Sequence, residues 1–233
     1  MSNLKRDGQL RWSPSYLRNR GQVTRAQKRA LREGWNRFGL TFRHGEILDL
    51  ETAFGSDSPL VIEIGFGMGD HLLHLAETLP DHRVLGIEVH RPGLAAATAR
   101  LLERDLENVR LIRGDARLIL TDHCAPAIAH GVIVQFPDPW PKPGDEHRRL
   151  IQPGMVEVLH RCLVPEGEFL LATDVEDYAE HAHRVFEESS GWKECERSRF
   201  REHRIPTPYE KKGHAEGRCT HELIYLRTRD EEL

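Results

Sequence analysis

Thiols are scarce in this chain. Its 233 residues include four cysteines, Cys124, Cys162, Cys195 and Cys219, and no two lie within four positions of each other. That spacing excludes a zinc ribbon and a Cys-x-x-Cys redox pair. Scattered thiols fit a reducing compartment, so a cytoplasmic location is expected. Long apolar runs are also missing. The longest span a few residues, such as 131–134, far short of the roughly 18–20 needed to cross a bilayer. The opening MSNLKRDGQL has no apolar stretch behind its charges, so no secretory signal is expected there. Thirteen prolines and nineteen glycines are too few for a collagen-like or low-complexity chain. The fourteen histidines are scattered and no H-E-x-x-H frame occurs, so no metal site is expected.

Charge is present in both signs and unevenly placed. The net charge is −4, yet residues 1–43 hold eleven Lys or Arg against Asp7 and Glu33, a net of +9. The remainder carries a net of −13. A basic arm on an acidic body predicts an anionic partner. The stretch 1–23 mixes Gly, Pro, Ser and Asn among its bases and predicts a flexible arm. Thr24 and Gln27 form a capping box, and the helix it opens is expected to reach about Trp35. Arg25, Lys28, Arg29 and Arg32 fall on one face of it; Ala26, Ala30, Leu31 and Trp35 fall on the other. The expected organisation is an arm and helix over 1–43 and one large domain over 44–233.

From Pro59 onward, short apolar strands alternate with helices. Strands are expected at 60–64, 83–89, 109–112, 131–136 and 169–173, with two late strands near 195–200 and 222–227. Helices are expected at 70–79, 92–106, 150–163 and 178–188. Repeated βα units imply a mostly parallel sheet covered on both faces.

The first strand runs into Gly65-Phe66-Gly67-Met68-Gly69 and then a helix. Glycines there let a ligand press against the backbone. A dinucleotide loop wants a further glycine where this chain has Asp70, which argues against a dehydrogenase. Glu63 and Asp70 flank the loop; two carboxylates suit a cation better than a pyrophosphate. S-adenosylmethionine carries a sulfonium and an ammonium and no phosphate, so its charge fits. Glu88 ends the second strand, where an acid accepts from ribose hydroxyls, and Asp115 follows the third, within reach of an adenine amino group. The fourth strand ends in Gln135-Phe136-Pro137-Asp138-Pro139-Trp140-Pro141-Lys142, whose prolines hold Asp138 in a stiff turn suited to placing a reacting group. Trp140 is a candidate stacking surface for a base.

These motifs together resemble the bacterial tRNA (guanine-N7)-methyltransferases of the TrmB type, over about 16–227. The matching stretches are E-I-G-F-G-M-G at 63–69, G-I-E-V-H at 86–90, P-D-P-W-P-K at 137–142, A-T-D at 172–174 and T-P-Y-E at 207–210. The resemblance implies a Rossmann-like class I methyltransferase fold with a mostly parallel seven-stranded sheet. It implies S-adenosylmethionine as cofactor, tRNA as partner and methylation of N7 of guanine 46 in the variable loop. It assigns Glu63, Gly65, Gly67, Glu88, Asp115 and Asp138 to the cofactor, with Asp138 also the catalytic residue. Lys142, Asp174, Thr207, Pro208, Tyr209 and Glu210 are assigned to the substrate. One stretch departs from the family pattern. After Lys142 the family runs through strongly basic residues, whereas here Pro143-Gly144-Asp145-Glu146 intervene before Arg148 and Arg149. That departure shifts expected RNA contact toward the basic arm. A small-molecule methyltransferase would share the cofactor motifs without needing the +9 arm. A non-catalytic RNA-binding relative would be expected to have lost one of Glu63, Glu88, Asp115 and Asp138, and this chain has all four. The sequence does not choose between a monomer and a homodimer.

Overall fold

The computed structural model describes residues 15–16, 22–43 and 45–229. Most of the 1–23 arm lies outside the described residues. The helix predicted from the Thr24 capping box is present as α1, Arg25–Phe38, with both reciprocal cap bonds made. It runs three residues past the expected end. The stripe it buries is Ala30, Gly34 and Phe38, spaced i, i+4, i+8, with Leu31 and Trp35 half-buried and Ala26 exposed. Gly34 matters for this docking: a Cβ there would lie 2.5 Å from Thr98 Cγ2. The missing side chain lets α1 lie close against the helix that carries Thr98.

Next come β1 (Gly39–Leu40), α2 (Leu50–Phe54) and β2 (Leu60–Ile64). They are followed by α3 (Asp70–Thr78), β3 (Arg83–Glu88), α4 (Arg91–Arg104), β4 (Val109–Arg113) and α5 (Ala116–Asp122). The second half comprises β5 (Ala129–Gln135), α6 (Pro153–Cys162), β6 (Leu163–Thr173), α7 (Glu176–Glu187), β7 (Trp192–Glu194), α8 (Pro208–Ala215) and β8 (His221–Arg227). The sheet has eight strands rather than the expected seven, in the order β1-β4-β3-β2-β5-β6-β8-β7. The additional strand is the two-residue β1, which pairs parallel with β4 at the edge. All pairs from β1 to β6 are parallel; β8 is antiparallel to both β6 and β7. The sequence order reverses between β2 and β5, the crevice where open α/β sheets bind ligands.

Alternation along the strands divides the core. Leu60, Ile62, Ile64, Val132 and Val134 face one layer, with Met155, Leu159 and Tyr178. Val61 and Ile133 face the other, with Leu72, Leu73, Leu94 and Phe200. Strands covered on both faces read as continuous apolar runs, which is why β2 was legible to the residue.

One late strand falls elsewhere than expected. The stretch 195–200 is not a strand; β7 ends at Glu194, and Cys195 makes one last bond, its N–H donating to Ile224 O at 2.9 Å. Beyond it the buried Glu168 carboxylate accepts from Ser198 Oγ and from the backbone and side chain of Arg199. Those side-chain bonds replace the ladder. Phe200 then lies on Gly131, where a Cβ would come within 2.3 Å of its ring.

Candidate active site

The site is built from loops at the C-terminal rim of β2, β3, β4, β5 and β6. Glu63 is the fourth residue of β2 and is buried. Its Oε1 lies 3.1 Å from Nδ1 of His71, itself buried on α3. Among the described residues its Oε2 has no hydrogen-bond partner. A buried carboxylate oxygen without a donor is costly, and such an atom is explained by a donor supplied from outside the chain. Above it, Gly65, Gly67 and Gly69 all adopt positive φ, at 73°, 57° and 86°. At Gly65 and Gly67 an added Cβ would meet nothing within 4 Å among the described residues. Gly69 caps α3 in the left-handed conformation and sits tight against Ala97 of α4.

Glu88, the last residue of β3, is buried. Its Oε2 accepts from Gly67 N at 2.8 Å, and its Oε1 accepts from Val89 N at 2.7 Å and His90 N at 2.8 Å. Burial pushes its carboxyl pKa up, and the three backbone donors pull it back down. The carboxylate thus ties the glycine loop to the end of β3. Asp115 caps α5: its Oδ1 accepts from Arg117 N at 3.0 Å. The buried Arg117 guanidinium also donates to Oδ2 at 3.0 Å. Strand-and-helix periodicity predicts neither α5 nor a role for Arg117, although an Asp followed by Ala-Arg-Leu-Ile-Leu is a legible N-cap signal.

Asp138 sits half-buried between Pro137 and Pro139. Phe136 and Trp140 on either side hold φ of 49° and 47°, a region that costs non-glycine residues of order 1 kcal/mol or more. Such strain persists where neighbours over-determine it. Here Phe136 N donates to Ala172 O at 2.7 Å, and the buried Arg149 donates from Nε to Pro139 O at 3.0 Å. Arg149 also pairs with the Asp177 carboxylate at the start of α7. That pairing holds Asp177 below the usual carboxylate range. Arg149 therefore staples the Asp138 turn to α7. Trp140 is not an open stacking surface. It is 7% exposed, its Nε1 donates to Ser15 O at 3.0 Å, and the Arg148 guanidinium lies 3.3 Å from its ring centroid.

The residues assigned to substrate lie apart from one another in character. Lys142 is exposed. In the departing stretch, Glu146 accepts from Gly144 N at 2.8 Å, so this acid shapes its own turn. Asp174, following β6, accepts from Arg218 Nε at 2.8 Å, with Gly213 of α8 in close approach. Thr207 and Glu210 form the capping box that opens α8, and Pro208 takes its first turn. Glu210 is buried; its carboxylate also accepts from Arg204 and from Thr220 Oγ1. Tyr209 stands 68% exposed beside it. Apolar periodicity does not predict α8, although Thr207-x-x-Glu210 repeats the capping-box pattern at Thr24. Among the described residues no three His, Cys, Asp or Glu gather to hold a metal, and no helix is long and apolar enough to cross a membrane.

The reversal of strand order, the glycine loop at it and the antiparallel β8 hairpin define a Rossmann-like class I methyltransferase fold. Solved structures share it. The 16S rRNA methyltransferase KamB superposes with a TM-score of 0.60 at 17% identity, covering 83% of this chain and 100% of that one. The antibiotic-resistance methyltransferase Kmr gives 0.55 at 15%, covering 82% and 96%. Residues 57–223 match the Methyltransf_4 family, described as "Putative methyltransferase". Relatives named tRNA (guanine-N(7)-)-methyltransferase are similar over most of the chain. The one from Nitrosococcus oceani is 39% identical, covering 93% of this chain and 91% of its own. That from Alkalilimnicola ehrlichii is 41% identical, with 91% of each chain covered. That from Leifsonia xyli is 46% identical over 70% and 71%. The chain belongs to the bacterial tRNA (guanine-N7)-methyltransferase family.

Proposed function

We propose that this protein transfers a methyl group from S-adenosylmethionine to N7 of guanine 46 in the variable loop of tRNA, in the cytoplasm. The observation that carries the reading is Glu63. Among the described residues its buried carboxylate has an unpartnered oxygen, beneath a glycine loop where an added Cβ on Gly65 or Gly67 meets nothing within 4 Å, beside the Asp138 turn. A buried anion there disfavours a pyrophosphate and favours a cationic ligand.

The residues fit the cofactor. Glu63 and the glycine loop would take its methionine end, Glu88 the ribose and Asp115 the adenine. When bound, S-adenosylmethionine supplies an electrophilic methyl on a positively charged sulfur. Guanine N7 has an in-plane lone pair and no proton, so its alkylation needs no general base. Catalysis then rests on position and charge. Asp138, held by two prolines, two strained neighbours and the Arg149 staple, is a preorganised anion at the rim. The product base becomes cationic, and a carboxylate beside it favours that charge. A full unit pair at 4 Å gives about 4 kcal/mol at an effective dielectric of 20, and partial charges give less. The exposed bases Arg25, Lys28, Arg29 and Arg32 on α1 offer phosphate contacts to tRNA on an otherwise acidic body.

The test is methyl transfer from labelled S-adenosylmethionine to an unmodified tRNA transcript, with the labelled nucleotide mapped. Label at guanine 46, lost when that base is replaced by adenine, is expected. Label at another nucleotide, or on a small molecule only, refutes the reading.

A further inference from the structure

Gln135 is the last residue of β5, three positions before Asp138, and is 9% exposed. Its Oε1 accepts from Arg204 Nη1 at 3.1 Å. Its Nε2 is buried and, among the described residues, has no hydrogen-bond partner. An arginine guanidinium only donates, so this contact fixes how the amide is turned: oxygen toward Arg204, NH₂ away from it. Arg204 in turn is fixed by Glu210 and by Glu222, to whose Oε1 its Nε donates at 2.7 Å. The result is a preoriented donor without an acceptor. Leaving such a group unpaired costs stability, and an acceptor on a ligand accounts for it.

Its place in the sheet indicates which ligand. Glu63 and Ile133 are register partners on β2 and β5. Ile133 packs with Val61 in one layer, and alternation puts Glu63 and Gln135 on that same face. Gln135 is therefore one step nearer the rim than Glu63. It lies between the glycine loop and Arg204, which holds the α8 capping box. Its network leads to the Thr207 to Glu210 segment and not to Glu88 or Asp115.

We propose that Gln135 Nε2 donates a hydrogen bond to O6 of the substrate guanine and so selects guanine over adenine. This rests on the guanine-N7 reading above. The edge of guanine that carries N7 presents two acceptors, N7 and O6; adenine presents N7 beside an amino donor. N7 must stay free to take the methyl group, which leaves O6 as the handle on that edge. A fixed donor matches O6 and opposes adenine's amine. Sites that satisfy a buried polar group only with the correct substrate discriminate strongly, because the wrong one leaves the group unpaired.

The test is a cycle of enzyme and substrate changes. Transcripts carry guanine or 2-aminopurine at the methylated position; 2-aminopurine keeps N7 and the 2-amino group but lacks O6. Gln135→Glu keeps an oxygen for Arg204 and removes the donor, and Gln135→Met removes both. Wild-type enzyme should lose roughly 10- to 100-fold in kcat/KM on the 2-aminopurine transcript. The variants should lose a similar factor on guanine and little more on 2-aminopurine, with unchanged affinity for S-adenosylmethionine. Any penalty from altered tRNA folding is common to all enzymes and cancels in the cycle. Variants that keep the full 2-aminopurine penalty overturn the assignment, and if they also bind S-adenosylmethionine more weakly, Gln135 serves the cofactor instead. A wild-type enzyme that places no methyl on guanine N7 overturns the functional reading itself, an outcome distinct from both.

Discussion

The two halves of the rim are held by different chemistry. On the β2-β3-β4 side, carboxylates accept mainly from backbone N–H groups of the rim loops. Glu88 takes one N–H group from the glycine loop and two from the turn that follows β3, and among the described residues Glu63 keeps an oxygen unpartnered. On the β5-β6-β8 side, arginines bond carboxylates and tie them to other segments of the chain. Arg204 joins Glu210 to Glu222, Arg149 joins Pro139 to Asp177, and Arg218 holds Asp174. The first half is a local design, written within a few residues of each strand end. The second is a cross-linked frame that fixes the shape of the turn bearing Asp138. A ligand meets open donors and acceptors in one half and a rigid, mostly satisfied wall in the other.

Asp138→Ala is expected to have the largest effect, because the frame exists to place this residue. Transfer to tRNA should fall by about a hundred- to a thousandfold, the order seen when a preorganised electrostatic group is removed. The Arg149 staple and the prolines remain, so the thermal midpoint should stay close to that of the wild-type protein. Steady-state turnover of tRNA checks the first and a melting curve the second. Turnover within about threefold of wild type would mean that the frame holds Asp138 for structure alone.

Glu88→Ala attacks the other half and should do less. Hydrogen bonds to a charged group contribute about 1.5–3 kcal/mol, so cofactor KM should rise roughly 10- to 100-fold. The tRNA KM should not move. Cofactor binding by calorimetry, beside tRNA binding by filter retention, separates the two halves. A selective loss of tRNA affinity would show instead that the two halves are coupled.

The same contrast decides what was legible in the sequence. Strand β2 and the acids of the local half follow from short-range pattern: an apolar run, a glycine turn, an acid at a strand end. The cross-linked half does not. Glu210 sits in T-P-Y-E, yet its bonds reach Arg204 and Thr220, which no periodicity connects to it. Helix α8 has almost no apolar stripe, since Pro208-Tyr209-Glu210-Lys211-Lys212-Gly213-His214-Ala215 buries only Glu210 and Gly213. Its capping box was the single local clue. Trp140 reads as a base platform by residue type, and only the contacts with Ser15 and Arg148 reveal that it closes the turn instead.

The smallest expected effect concerns the opposite end of the sheet from both halves. His82 and His130 lie at the strand N-terminal ends, beside Arg83 and Leu60. His130 Nδ1 accepts from Leu60 N at 3.3 Å, so that nitrogen is unprotonated. Burial is the main cause lowering both imidazole pKa values below 6.5. The Arg199 charge is next; the nearby His203 ring adds to the lowering at His82, and His82 with Arg83 at His130, while Asp81 opposes it at His82. The sign follows from linkage. Below the unfolded value near 6.5 the unfolded chain binds protons that the folded chain resists, so stability is complete above about pH 6.5 and declines as pH falls through the folded values. Both rings are only partly buried, so solvent screens the effect and keeps it small. The melting midpoint should therefore be modestly lower at about pH 5.5 than at about pH 7.5. A His82→Gln, His130→Gln double variant should narrow that difference, while the Glu88 and Asp138 variants should leave it as it is. An unchanged difference in the double variant would assign the acid sensitivity to His181 instead. That ring is also lowered chiefly by burial, and it hydrogen-bonds Ile151 O at 2.9 Å within the cross-linked half.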